Sequence, residues 1–238
     1  MTEKIPSFCI VLPMFNEESN AEASIRSIAG YLSGVETRTA IIAVEDGSRD
    51  RTLDVLRRLA RDIPCLTVIA HEKNSGYGAA NRTGFAAAIR EGFDYVLVMD
   101  ADGTQSPEFI GRFFEPMKSA VDFIKATRYA RGGSVVGVQF QRWFISWAGN
   151  KFAHLVLRLP LTDYTNGFRA IRTSLLARIH CREPGFAMLI EEVVQAKKLG
   201  ASFGEAPYKL TARAKEDSPS KFVYSWRIYR EYLRNLFK

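Results

Sequence analysis

The run Val98-Met99-Asp100-Ala101-Asp102 closes an apolar stretch with two carboxylates separated by one small residue. Residues two apart on a strand point the same way, so Asp100 and Asp102 are expected to converge. Converging carboxylates at the carboxyl end of a strand suit a hard divalent cation that also holds phosphate oxygens. Ligands of open α/β sheets bind at those strand ends. The pair therefore points to an enzyme that handles a nucleoside diphosphate. A plainer alternative stands beside it: Asp100 ends the strand and Asp102 caps a helix that begins after Pro107.

Three further segments place polar residues where apolar runs end. Pro13-Met14-Phe15-Asn16-Glu17-Glu18 follows the first run, Glu45-Asp46-Gly47-Ser48-Arg49-Asp50 the second and Asn74-Ser75-Gly76-Tyr77-Gly78 the third. Each alone reads as a turn or a helix entry, since Asp-Gly is a turn dipeptide. In a parallel sheet, however, all four loops share one edge. Together they offer acids for a base or ribose, small residues for close approach, and a metal site.

The elements that must hold these loops are legible as a rhythm. Phe8–Met14, 39–45, 66–71 and 95–100 are short apolar runs, the last one nearly continuous, as for a strand buried on both faces. Between them lie helical patterns at 21–32 (Ile25, Ile28 and Leu32 on one face), near 51–61 and at 77–91. Strand alternating with helix predicts an α/β fold with a mostly parallel central sheet and helices on both faces. After a further run at 123–127 the rhythm changes. Gly132-Gly133 marks a loop, and 139–159 is a long stretch carrying Phe140, Trp143, Phe144, Trp147 and Phe152. A helix is predicted over 186–199, ending in Lys197, Lys198 and Gly200. The polar segment 211–220 is expected to be a loop, with a C-terminal amphipathic basic helix over 221–238 set apart from a catalytic unit at 1–220. On that helix Phe222, Trp226, Tyr229, Leu233 and Phe237 share a face, and Arg227, Arg230, Arg234 and Lys238 form a separate stripe.

Composition narrows the class. The chain has 238 residues, 47% of them hydrophobic, enough for a sizeable core. Cys9, Cys65 and Cys181 are scattered and odd in number, which fits a reducing compartment and no zinc site. No signal-peptide pattern opens the chain, and no apolar stretch approaches the roughly 20 residues that span a bilayer. A cytoplasmic chain, soluble or peripheral at a membrane, is expected. The net charge of +7 favours an anionic partner. Scattered basic residues without an aromatic RNA motif argue against nucleic acid.

In order and spacing, the four loop motifs resemble the signature of family 2 glycosyltransferases, which have the GT-A nucleotide-sugar-binding fold. Thr127-Arg128-Tyr129, Gly132-Gly133, Arg142…Ser146, Thr165-Asn166-Gly167-Phe168-Arg169, Glu191 and Arg213…Ser220-Lys221-Phe222 resemble the dolichyl-phosphate mannose synthase branch. The resemblance covers about 8–222. It implies nucleotide-sugar contacts at Pro13, Phe15, Glu17, Val44, Asp46, Ser48, Gly76, Asp100, Ala101, Asp102, Arg213 and Lys221. It implies Mg²⁺ or Mn²⁺ on Asp100 and Asp102, and an acceptor phosphate on Arg128, Arg142 and Ser146, with Asp102, Arg128 and Arg142 catalytic. Two positions depart from the pattern. Glu45 replaces the usual first Asp of Asp-Asp-Gly-Ser and keeps its charge. Thr104 stands where the synthases commonly place a metal-holding Gln, with Gln105 next, so Thr104 is the candidate third ligand.

The implied reaction is inverting transfer of a hexose, from GDP-mannose first and UDP-glucose as the alternative donor, to a polyprenyl monophosphate. A phosphate monoester has a second pKa of roughly 6 and is largely a dianion at neutral pH, so it needs little help from a base. The site must instead bring two anions together, which suits a metal and guanidinium forks. The resemblance also turns the aromatic stretch 139–159 from an ordinary core helix into an amphipathic helix at a membrane interface. It adds a membrane surface at the cytoplasmic face, a second copy or a separate membrane-anchoring subunit as partners. Two other readings remain open. One is a soluble family 2 transferase acting on a sugar hydroxyl; the other is a non-catalytic nucleotide-sugar or anion-binding module. Arg169 reads equally as a phosphate ligand or a structural residue, and Glu191 as a paired core acid or one that orients Arg213.

Overall fold

The computed structural model describes residues 4–211 and 226–237. Its centre is a seven-stranded sheet in the order β3-β2-β1-β4-β7-β5-β8. The strands are β1 (Phe8–Met14), β2 (Thr39–Glu45), β3 (Leu66–Ala70), β4 (Tyr95–Val98), β5 (Phe123–Thr127), β7 (Arg169–Arg172) and β8 (Phe203–Pro207). All neighbours run parallel except β7, which is antiparallel to both β4 and β5. A short parallel pair, β6 (Ser134–Val135) and β9 (Lys209–Leu210), stands apart.

Alternation along the strands sorts side chains onto two faces. Ile10, Leu12, Ile41, Ala43 and Leu97 pack with α1 (Ala21–Leu32), α2 (Thr52–Asp62) and a 3-10 helix (Pro107–Phe113) that runs into α4 (Phe114–Lys118). Cys9, Val11, Ile42, Val44, Val96 and Val98 pack on the other face with α3 (Tyr77–Arg90) and α7 (Met188–Lys198). The central strands are buried on both sides, which accounts for their nearly continuous apolar sequence. From β1 the chain moves to β2 on one side, while β4 pairs on the other side of β1. That switch opens a crevice beyond the carboxyl ends of β1, β2 and β4.

The second half completes the crevice. Helix α5 (Phe140–Leu157) buries only Asn150, Ala153 and Leu157. Its Phe140 and Leu155 are 72% and 68% exposed, and Phe144, Trp147 and Phe152 are also exposed. The short α6 (Thr173–Leu176) follows β7 directly. Helix α8 (Trp226–Leu236) packs on α7 and α5, with Tyr232 and Leu236 joining the core. Its Arg234 pairs with Glu183 at 2.5 Å, so this member of the basic stripe is tied to the protein itself. No helix among the described residues is long and apolar enough to cross a membrane. Of the expected loop and terminal helix, residues 212–225 and Lys238 lie outside the described residues, and so does the Arg227 side chain.

Candidate active site

The crevice holds two adjoining cavities. One carrying four carboxylates, of about 460 Å³, is lined by Pro13, Phe15, Glu17, Asp46, Gly76, Asp100, Ala101 and Asp102, together with Met14, Asn74, Tyr77, Ala80 and Phe186. A larger one, of about 620 Å³, begins at Asp100, Thr104, Arg128, Arg142 and Ser146 and runs between α5, α7 and α8. Its far walls are Ile145, Phe152, Leu189, Trp226, Tyr229 and Leu233. Tyr77, Asp100 and Phe186 line both cavities.

The loops around this carboxylate-lined cavity are laced together. Ser48 Oγ accepts the Asn16 amide at 2.9 Å, and Asn16 Oδ1 accepts the Arg49 amide at 2.9 Å. Thr52 Oγ1 accepts the Glu17 amide at 2.8 Å, and Glu45 accepts the Ser48 amide at 2.6 Å. Asp46 is almost fully buried. Its oxygens accept the Ser75 and Gly76 amides at 2.9 and 2.8 Å, and His71 Nδ1 lies 2.7 Å away. Two expected contacts fall elsewhere. Val44 has its side chain in the core, facing α3, and Ser48 lies beneath the loop as its hydrogen-bonding joint; neither lines a cavity. Arg213 and Lys221, with Ser220 and Phe222, lie outside the described residues.

Asp100 and Asp102 come together by a different route from the one the sequence suggested. Strand β4 ends at Val98, so alternation does not carry through the pair. A loop does the work. Gln105 Oε1 accepts the Asp100 amide at 2.9 Å, and Gln105 Nε2 donates to Asp100 Oδ2 at 2.7 Å. Asp102 accepts from the Thr104 amide and hydroxyl at 3.1 and 2.6 Å, so it caps this turn rather than the helix after Pro107. The Thr104 hydroxyl is thereby committed to orienting Asp102, while the amide that grips Asp100 belongs to Gln105. Burial, and then the Asp102 charge, push the Asp100 pKa up to about 7.

At the second cavity Arg128 is held rather than free. Its Nε and Nη2 donate to the fully buried Asp163 at 2.7 and 2.9 Å, and Nη2 reaches Ser146 Oγ at 3.3 Å. Burial alone would weaken the guanidinium's hold on its proton. The Asp163 charge and hydrogen bonds reverse this and keep Arg128 above its ordinary range. Tyr129 also donates to Ser146 Oγ, at 2.9 Å. Arg142 and Ser146 are one helical turn apart on α5, which explains how they share a face.

Two residues left open by sequence have structural partners, while Arg213, the other partner considered for Glu191, lies outside the described residues. Arg169 is fully buried, paired with Glu192 through contacts of 2.6 and 2.7 Å. Glu191 accepts the amides of Arg182 and Glu183 at 2.9 and 2.8 Å and so shapes the loop before α7. That loop docks on the start of α3, where Pro184 O accepts the Gly78 amide at 2.6 Å. A Cβ on Gly76 would lie 2.5 Å from Pro184 O, and one on Gly78 would lie 2.2 Å from Glu183 O. Only glycine lets this loop, with Phe186, close over the cavities. Phe186 was missed by sequence reasoning, because a lone aromatic before a helix reads as core.

Among the described residues no group of three or more His, Cys, Asp or Glu could hold a metal. The Asp100/Asp102 pair nevertheless fits a divalent cation of the Mg²⁺ type, which takes one or two carboxylates and fills its shell with phosphates and water. Burial first, and then the neighbouring Asp102 charge, disfavour ionised Asp100, and a cation between the two carboxylates would relieve both.

Comparison with known proteins identifies the family and matches the fold. The family model "Glycosyl transferase family 2" matches residues 9–180. An undecaprenyl-phosphate mannosyltransferase from Micrococcus luteus is 29% identical over 206 residues, 85% of this chain and 83% of the relative. A dolichol-phosphate mannosyltransferase from Pyrococcus furiosus is 30% identical over 235 residues; the match covers 96% of this chain but 62% of that longer protein. Among solved structures, glucosyl-3-phosphoglycerate synthase from Mycobacterium tuberculosis, in complex with Mn²⁺, UDP-glucose and phosphoglyceric acid, aligns with a TM-score of 0.70. The alignment covers 98% of this chain and 80% of that one at 22% identity, a likeness of fold.

Proposed function

The chain belongs to glycosyl transferase family 2, and from that premise we propose that it transfers a hexose from a nucleoside diphosphate to a polyprenyl monophosphate, with inversion at the anomeric carbon. GDP-mannose is the favoured donor, in keeping with the names of the relatives. One observation carries the reading: a cavity lined by the carboxylates of Glu17, Asp46, Asp100 and Asp102 meets, at Asp100, a larger one with long apolar walls in which the lining cations are Arg128 and Arg142. An anionic head on a long hydrocarbon tail matches the second cavity; a free sugar would leave its apolar walls uncovered.

In this reading Asp46, Glu17 and the backbone around Gly76 hold the nucleoside. Asp102 and Asp100 hold Mg²⁺ or Mn²⁺, which when bound supplies a Lewis acid for the leaving diphosphate. Arg128, Arg142 and Ser146 hold the acceptor phosphate, and Asp163 fixes the Arg128 fork in advance. The acceptor needs no strong base, because its phosphate is already ionised near neutral pH. The exposed aromatic side chains of α5 and of Trp226 and Phe237 rest at the headgroup level of a membrane. This makes the protein peripheral, at the cytoplasmic face where nucleotide sugars are supplied.

The test is to incubate the protein with polyprenyl phosphate and a panel of nucleotide sugars, with Mg²⁺ or Mn²⁺, and to analyse the organic phase by mass spectrometry. A polyprenyl phosphate carrying one hexose is the expected product, strongest with GDP-mannose. Transfer only to water-soluble acceptors would overturn the proposal.

A further inference from the structure

Inverting displacement places nucleophile and leaving group on opposite sides of the anomeric carbon. If the diphosphate lies by Asp102 and the acceptor phosphate by Arg128 and Arg142, the hexose between them must span the junction of the two cavities. Tyr77, Asp100 and Phe186 are the residues that line both. The two rings are stacked, with centroids 4.6 Å apart and planes 21° from parallel. A hexose has polar edges and apolar C–H faces. The carboxylate suits an edge or the metal, and the rings suit a face.

The rings are built into place. The loop carrying Phe186 is fixed by the Gly78 amide on Pro184 O at 2.6 Å and by Arg82 on Glu183 O at 2.8 Å. Asn235 of α8 adds a bond to the Glu183 carboxylate at 3.0 Å. Two helices, α3 and α8, thus hold one short loop, and its Phe186 is only partly buried, lining open space rather than filling the core.

We propose that the Tyr77–Phe186 pair is the platform for the transferred hexose, with Phe186 the residue that reads the sugar's apolar face and Tyr77 its support. The platform also keeps water from the anomeric carbon while the bond to the diphosphate oxygen breaks, its electron pair leaving with the nucleoside diphosphate, and the bond to the acceptor phosphate oxygen forms. This assignment rests on the reading of the chain as a hexosyltransferase and deepens it.

The test uses the full chain with metal. Titration calorimetry measures dissociation constants for the nucleotide sugar that the wild type turns over best and for the matching nucleoside diphosphate, in wild type, Phe186→Leu and Phe186→Tyr. Loss of the ring should weaken the nucleotide sugar about tenfold, while the nucleoside diphosphate stays within about twofold. Phe186→Tyr should bind both like the wild type. Equal weakening of both ligands, or no change in either, overturns the assignment. Should Phe186→Leu fail to fold by circular dichroism, Phe186→Met is read on the same terms. Absence of hexose transfer by the wild type overturns the underlying reading instead, so the two failures are distinguishable.

Discussion

Replacing Asp163 by Asn tests how Arg128 is held. The carboxylate is fully buried and gives the guanidinium two charge-assisted bonds, at 2.7 and 2.9 Å. The Arg128 side chain is itself only 15% exposed, where it lines the larger cavity, so water replaces the lost partner only in part. What remains are one uncharged amide oxygen of the new Asn and long contacts to Ser146 and Thr165, at 3.3 and 3.4 Å. Breaking one side of such a buried pair costs about 3–5 kcal/mol. Arg128→Met should cost a similar amount, because it strands the carboxylate. The double variant buries no charge, so its destabilisation should fall short of the sum by about 2 kcal/mol or more. Urea unfolding of the four proteins measures this directly. Asp163→Asn should also raise the KM for polyprenyl phosphate while leaving nucleoside diphosphate affinity near wild type. Additivity within about 0.5 kcal/mol would refute the argument that the pair acts as a unit.

Asp102→Asn should lower turnover about a thousandfold or more without altering the circular dichroism spectrum, since a Lewis acid is worth several kcal/mol at the leaving group; full activity of that variant in chelator would contradict a metal at this position. Lys125 is fully buried and donates to Asn166 O at 2.5 Å, and burial, then the Arg169 charge, push its pKa down to about 7. The unfolded chain binds that proton up to roughly pH 10.4, so stability should rise as pH increases from about 7 to about 10 and be lost on the way back down. Denaturation across that range should show the slope in the wild type and a flatter one in Lys125→Met; identical slopes would refute it. The protein should float with anionic liposomes at low salt, and Phe140→Glu with Phe144→Glu should abolish this; equal flotation of variant and wild type would remove α5 from the membrane contact.

Much of the site was legible because local chemistry and sheet topology agree. Strand runs at 8–14, 39–45 and 95–98 alternate with helices, so the four polar loops had to meet at one edge, and most of their expected residues line one cavity. What escaped was set by tertiary contacts. Strand β7 is four residues with two arginines, and it fits the middle of the sheet only because Arg169 finds Glu192 twenty-three residues later. The grip of Gln105 on Asp100 was not legible, because spacing along the chain does not reveal which way a tight loop turns its amide. The face of α8 expected at a membrane is divided in a way spacing does not show: Tyr229 and Leu233 line the larger cavity and Leu236 joins the core, while Trp226 and Phe237 stay exposed. Phe186 carried no motif at all; two glycines more than a hundred residues upstream, at 76 and 78, make room for its loop, and that dependence is visible only in three dimensions.

The central claim is that one cavity holds a nucleotide sugar, the other holds a phosphate with a long apolar tail, and the hexose passes between them. The most direct test is a single acceptor series with labelled GDP-mannose: a polyprenyl phosphate, the same polyprenol without its phosphate, and a short-chain alkyl phosphate. The prediction is efficient transfer to the polyprenyl phosphate, none to the polyprenol, and weak transfer to the short phosphate through a raised KM. Label transferred equally well to the polyprenol, or with no dependence on chain length, would contradict it.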